Sequence, residues 1–273
     1  AARCWNPMRV EAREPSRGVD PDAAVRRPLA RSLAAAIATA LLLGSCSSAP
    51  PPDRTVVARY PAAPSRTEAP LVGALVDRPI DAGTRSAVIR ESADLRQCVA
   101  QLTAARVTFR PAPDRVNSAT CGLIAGGALG PDMGTVARMA PAEVEMTCRT
   151  ALALSIWRRQ SLEPAAREIL GSDVVQIDHM GAYACRNVNN GGVSTRVSAH
   201  SQAAALDFAG VRLRDGRRIA VTNDWSGDEP EARFLRRIRD DACRIFGTVL
   251  SPDYNAVHRD HLHLEATDTR FCR

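Results

Sequence analysis

The chain has 273 residues, an ordinary apolar fraction of 45% and a formal net charge of +6. It contains no lysine, so Schiff-base and lysine-base chemistry are excluded. Residues 1–45 carry seven Arg and four acids, which is +3 of the total, and the remaining charge is mixed in sign, as in Arg236-Arg237-Ile238-Arg239-Asp240-Asp241. Such a run is a solvated helix face, and no one-sided basic patch with interleaved aromatics marks a nucleic-acid partner.

Residues 1–24 lack any pattern and are expected to be an over-extended start, with Val25 the candidate initiator. From residue 25 to 45 the order is basic, apolar, small: Arg26-Arg27, then the 12-residue run Leu33 to Gly44, then Leu43-Gly-Ser-Cys46. That order is the signature of a signal peptide. The apolar run falls short of the roughly 20 residues that span a bilayer. The Leu-x-x-Cys ending resembles a bacterial lipobox, which implies cleavage before Cys46 and a lipid on its thiol. Residues 46–91 begin with a Pro/Ala/Ser-rich stretch too poor in apolar side chains to fold, expected to be a tether. The folded domain is expected over residues 92–273.

Apart from Cys4 and Cys46, six dispersed cysteines remain: Cys98, Cys121, Cys148, Cys185, Cys243 and Cys272. No Cys-x-x-Cys pair occurs, which argues against a zinc knuckle or a thioredoxin-type motif. In an oxidising compartment they make up to three disulfides, whose pairing the spacing leaves open.

Leu95, Cys98, Val99 and Leu102 form the stripe of an amphipathic helix. The Gly-rich segment Gly122 to Gly134 contains no phosphate-binding fingerprint. Pro141 predicts a helix start, running to about Gln160, and Pro164 predicts a third, short helix ending at Gly171. Val174 to His179 reads as a strand. Val211 to Leu213 and Arg218 to Val221 flank Asp215-Gly216, a hairpin signal. Asp228-Glu-Pro230 opens a helix through Phe246, with Phe234, Leu235, Ile238, Ala242 and Ile245 on its buried stripe. Helices first, then a sheet with one inserted helix, predict an α+β fold with a small, mainly antiparallel sheet flanked by helices.

Four of the five histidines sit in two segments, Ser198-Ala-His200 to Asp207 and His258-Arg-Asp260-His261-Leu-His263-Leu-Glu265. In the second, alternation with Leu262 and Leu264 puts His261, His263 and Glu265 on one strand face. Imidazoles two apart on a strand are about 7 Å apart, which suits one as ligand and the other beside the metal's water. On a straight helix His200 and Asp207 would be about 10 Å apart along the axis. They meet at one ion only if the chain turns between them. His200, Asp207 and one later His leave a fourth position for water, the arrangement of a catalytic zinc. Zinc lowers that water's pKa to about 7, making it the nucleophile, with a neutral His as general base. Spacing alone leaves open which of His258, His261 and His263 binds.

Tyr183-Ala-Cys185-Arg186, Ser198-x-His200 with Asp207, Asp224-Trp225, Phe234-Leu-Arg, and Pro252-Asp-Tyr-Asn255-x-x-His258-Arg-Asp-His261-x-His263 together resemble the bacterial extensin-like C-terminal domain family over residues 92–273. The paired motifs also resemble zinc D-Ala-D-Ala carboxypeptidases and lysostaphin-type peptidases. That resemblance implies a metallopeptidase-like fold, a Zn2+ cofactor held by His200, Asp207 and His263, and His261 as base. Ala203 stands where those peptidases have Gly. Arg186 is a candidate for a substrate carboxylate, which Arg matches bidentately, with Tyr183 beside it. His258 and Asp260 are candidates to orient the ligands. Trp225 is expected in the core or the cleft wall, and His179 is expected to be structural. Together these imply a periplasmic, lipid-anchored, monomeric zinc peptidase acting on peptidoglycan peptides. The alternative is a non-catalytic wall-binding or structural lipoprotein on the same fold.

Overall fold

The computed structural model describes residues 73–188 and 194–273. The expected signal peptide, Cys46 and the tether up to residue 72 lie outside the described residues. Folding begins earlier than residue 92, which corrects the expected tether. A 3-10 turn at Leu75–Asp77 buries Leu75 and Val76, and α1 (Thr84–Glu91) buries Val88. Two adjacent apolar side chains suffice to anchor the turn because its backbone is also bonded. Leu75 N donates to Gln101 Oε1 at 3.0 Å, and Gln160 Nε2 donates to Val76 O at 2.9 Å. The expected stripe forms α2 (Leu95–Ala104), capped by the Asp94 carboxylate accepting from Gln97 N at 3.1 Å.

A first sheet follows. Strands β1 (Val107–Pro111), β2 (Arg115–Val116), β3 (Gly122–Leu123) and β4 (Gly126–Asp132) come in succession, with β2 and β3 paired as a separate ribbon. After β5 (Arg138–Ala140), β6 (Val144–Thr147) completes an antiparallel sheet of order β1-β4-β6. The Gly-rich segment serves packing here, since a Cβ on Gly127 would collide with the Arg110 carbonyl of β1.

The helix expected at Pro141 starts later. Val144 and Met146 alternate buried with less buried neighbours, and this period of two is satisfied by pairing with β4. The helix α3 (Cys148–Trp157) then begins, with the Thr147 hydroxyl accepting from Thr150 N at 3.2 Å. Nor does it break before Pro164. The helical path continues through a π turn at Arg158–Leu162, α4 (Glu163–Ala165) and a second π turn at Ala166–Leu170, ending at Gly171 with φ 67°. Wider turns on both sides accommodate a residue that lacks an N–H donor. Asp132, fully buried, pairs with Arg158 at 2.6 Å and accepts from Arg159 Nε at 3.0 Å.

The second sheet carries the site. Its strands are β5, β7 (Val174–His179), β8 (Ala205–Leu213), β9 (Arg218–Ala220), β10 (Thr248–Leu250), β11 (Leu262–Glu265) and β12 (Phe271–Cys272). The order is β12-β10-β11-β8-β7-β5, with β9 also on β8. Only β5–β7 and β10–β12 are parallel, so the fold is α+β with a mainly antiparallel sheet. The β8–β9 hairpin turns at Gly216, φ 92°, as Asp215-Gly216 predicts. The short α5 (Val221–Asp224) leads to α6 (Pro230–Ala242), which buries Phe234, Leu235, Ile238 and Ala242. Trp157 links these layers: its ring meets Phe208 of β8 edge-on at 5.2 Å, and its Nε1 donates to Ile238 O at 2.8 Å.

All six cysteines of the domain are paired, as Cys98–Cys148, Cys121–Cys185 and Cys243–Cys272. Three disulfides fit a periplasmic or extracellular compartment. No helix among the described residues is long and apolar enough to cross a membrane.

Candidate metal centre

Antiparallel pairing of β8 with β11 sets His263 directly opposite Asp207. Their neighbours Leu206, Phe208, Leu262 and Leu264 are buried on the other face, so the hydrophobic alternation fixes which face the polar pair occupies. His200 arrives by the expected turn. Ser198 caps a 3-10 turn at Ala199–Gln202, and Ala203 reverses the chain with φ 53° before β8 begins. That left-handed conformation is the one glycine adopts most freely, and an Ala there carries strain of about 1 kcal/mol.

Three atoms converge as a result. His200 Nε2 lies 3.0 Å from Asp207 Oδ1 and 3.1 Å from His263 Nδ1, and His263 Nδ1 lies 2.9 Å from Asp207 Oδ1. All three residues are buried. For ligand bonds of about 2.0–2.1 Å, a tetrahedral ion has donor–donor edges of about 3.3 Å. The donor types and spacing therefore fit a small cation. The far sides of both rings are also held. His200 Nδ1–H donates to Ala182 O at 2.9 Å, and His263 Nε2–H donates toward Glu265 Oε2 at 3.4 Å. Each imidazole thus turns a defined nitrogen to the convergence point, Nε2 from His200 and Nδ1 from His263.

Electrostatics report the same crowding. Burial opposes a charge on His263, but its bonds to Asp207 and Glu265 outweigh that and raise its pKa to about 9. Burial likewise opposes ionisation of Asp207, yet the adjacent His200 and His263 imidazoles hold its carboxyl far below the usual range.

His261 precedes β11 and lies beside the triad. Its Nδ1–H donates to Asp260 Oδ1 at 2.9 Å, and its Nε2 is 3.6 Å from Asp207 Oδ1. His258 Nδ1–H donates to Asn255 Oδ1 at 2.7 Å, and its ring is 5.1 Å from that of His261. Burial, and then the neighbouring His261 and His263, lower the His258 pKa to about 4, so it is neutral at pH 7. Arg186 lines the cleft over these groups, its NH2 4.0 Å from Asp207 Oδ2. That cleft measures about 1150 Å³.

Other expected residues lie elsewhere. The Tyr183 hydroxyl accepts from Asn117 Nδ2 at 2.5 Å, the Arg115 guanidinium sits 5.8 Å from its ring, and it does not line the cleft. Trp225 is buried with its Nε1 donating to Asp253 Oδ1 at 2.8 Å. His179 is spent on backbone: Nε2–H donates to Pro141 O at 2.8 Å and Nδ1 accepts from Gly181 N at 3.0 Å. Glu265 and Asn255 received no role from sequence. The alternation that placed Glu265 on the face of His263 was the signal for it, two residues on. The Ala182 carbonyl had none, being backbone.

The fold and site together define an α+β protein of an oxidising compartment with a buried His–Asp–His group able to hold a metal. The family model for the extensin-like protein C-terminus matches residues 96–273, and the chain belongs to that family. No curated protein and no solved structure matches it.

Proposed function

We propose that the protein is an exported, lipid-anchored zinc peptidase that cuts peptidoglycan peptides as a D,D-carboxypeptidase or endopeptidase. The observation that carries this is the convergence of His200 Nε2, Asp207 Oδ1 and His263 Nδ1 within 2.9–3.1 Å, with a third imidazole, the carboxylate-oriented ring of His261, alongside. When bound, zinc supplies Lewis acidity and an activated water at neutral pH. The chain's own groups do the rest. His261 presents Nε2 toward the triad while Asp260 fixes its tautomer and stabilises the imidazolium formed on taking a proton. The same imidazolium then returns the proton to the leaving amine. Arg186, beside the triad, takes a carboxylate of the substrate in fork geometry. The lipobox-like Cys46 and the Pro/Ala-rich stretch after it support anchoring with the domain held off the membrane, where the wall is the nearest amide-rich polymer.

Metal analysis of the purified domain, with digestion of muropeptides by wild type and His261→Ala, tests the proposal. Stoichiometric zinc, cleavage by wild type, and a His261→Ala protein that keeps zinc but does not cleave are expected. Zinc without cleavage by the wild type would favour a wall-binding lipoprotein, and absence of zinc affinity would overturn the metal assignment.

A further inference from the structure

Beyond the candidate metal ligands, one stretch of the cleft wall is aromatic. From His261 the rings run in file: His258 at 5.1 Å, then Tyr254 at 5.6 Å from His258, then Phe271 at 5.6 Å from Tyr254, edge to face. Tyr254 and Phe271 are 44% and 40% exposed, and both line the cleft. In a chain with only 4% aromatics this placement is conspicuous. Among the described residues, Phe109, Phe208, Phe234, Phe246, Trp157 and Trp225 are all buried. Phe271 is also fixed in place. Its strand pairs with β10, the next residue is tied by the Cys243–Cys272 disulfide, and the Arg273 guanidinium sits 5.6 Å from its ring. An exposed ring held as Phe271 is binds at low entropic cost.

A pyranose ring suits such a surface. Its axial C–H groups form an apolar, slightly positive face that matches the negative face of an aromatic ring, while its hydroxyls stay at the wet edge. The cleft, at about 1150 Å³, also exceeds the roughly 300–1,000 Å³ typical of a small-molecule site, leaving room beyond a peptide end. We infer that Tyr254 and Phe271 form a sugar-stacking platform, so that the substrate is a wall peptide still attached to its glycan. This rests on the peptidoglycan assignment above.

The probe is a β-1,4-linked tetramer of N-acetylglucosamine, its binding followed by NMR and titration calorimetry, which need no catalysis and no reporter at the substituted residues. Wild type is expected to bind it. Tyr254→Ala and Phe271→Leu should each weaken binding about 10-fold, the equivalent of one lost ring contact. Tyr254→Phe should restore it, and Phe271→Leu keeps apolar bulk as a folding control. In digestion, wild type should prefer glycan-linked over free peptides, and Tyr254→Ala should lower that ratio. No tetramer binding by wild type, or binding indifferent to Tyr254→Ala, overturns the platform. Tetramer binding at Tyr254 without cleavage of any muropeptide would sink the peptidase proposal and leave the platform standing. Equal cleavage of free and glycan-linked peptides, with both slowed alike by Tyr254→Ala, would do the reverse.

Discussion

Replacing Cys121 and Cys185 together by Ser tests how the site is held. The bridge spans 64 residues with Cα atoms 5.5 Å apart. In the loop-entropy treatment, closing a loop of that length stabilises the native state by about 4 kcal/mol at 25 °C. Cys98–Cys148 would remain, but it shortens the path between residues 121 and 185 only slightly, so the figure stands. The bridge also joins two strips that grip the first metal-ligand candidate. On one side, His200 Nδ1–H donates to Ala182 O at 2.9 Å and Ala184 N donates to His200 O at 3.0 Å. On the other, Ser201 Oγ donates to Thr120 O at 3.0 Å. Urea unfolding of the double Ser variant should show a loss of about 4 kcal/mol. Zinc affinity, measured by chelator competition, should fall at least about 10-fold as the Ala182 acceptor loosens. A loss below about 1 kcal/mol would refute the loop-entropy account. Unchanged zinc affinity would refute the claim that the bridge holds His200.

Other outcomes follow from groups already placed. Glu265→Gln should weaken zinc binding about 10- to 100-fold in chelator competition, because the His263 ring loses its carboxylate anchor; unchanged affinity would contradict that. Asp132→Ala strands the buried Arg158 and should cost about 3–5 kcal/mol in urea unfolding, whereas a loss under about 1 kcal/mol would mean the guanidinium finds water. Acid should act through the same residue. Burial opposes ionisation of Asp132, but Arg159 and Arg158 outweigh it and hold its carboxyl below the usual range. A depressed native pKa stabilises fully above the unfolded value of about 3.9 and is lost as pH falls through the native value. Unfolding free energy should therefore decline below about pH 5, and less steeply in Asp132→Ala.

Much of the site was legible because ligand chemistry constrains spacing. Alternation of His261, His263 and Glu265 with two leucines predicted a strand and its buried face, and β11 has both from Leu262 on, with His261 one residue before it. The seven-residue gap required a reversal before Asp207, and the turn at Ala199–Gln202 with Ala203 supplies it. The stripes on α2 and α6 were legible for the same reason, being periodic and amphipathic. What escaped lacked a local signal. Proline at 141 and 164 suggested helix starts, but strand pairing at Val144 and Met146 overrode the first and π turns absorbed the second. Leu75 and Val76 lay beside a Pro-rich stretch that masked them. Tyr183 kept its motif position yet faces Asn117 and Arg115, because sequence order says nothing of which way a loop side chain turns.

Strand β8 sets Asp207 and Phe208 on opposite faces in consecutive positions, and Phe208 is wedged against Trp157. The carboxylate of the candidate centre is therefore one peptide unit from a fully buried aromatic pair. It has no slack of its own. A substitution at residue 157 or 208 that shifts the strand moves the Asp207 carboxylate with it. Core and site can diverge only in step, and a cation lodged among His200, Asp207 and His263 would in return clamp the middle of the sheet from outside.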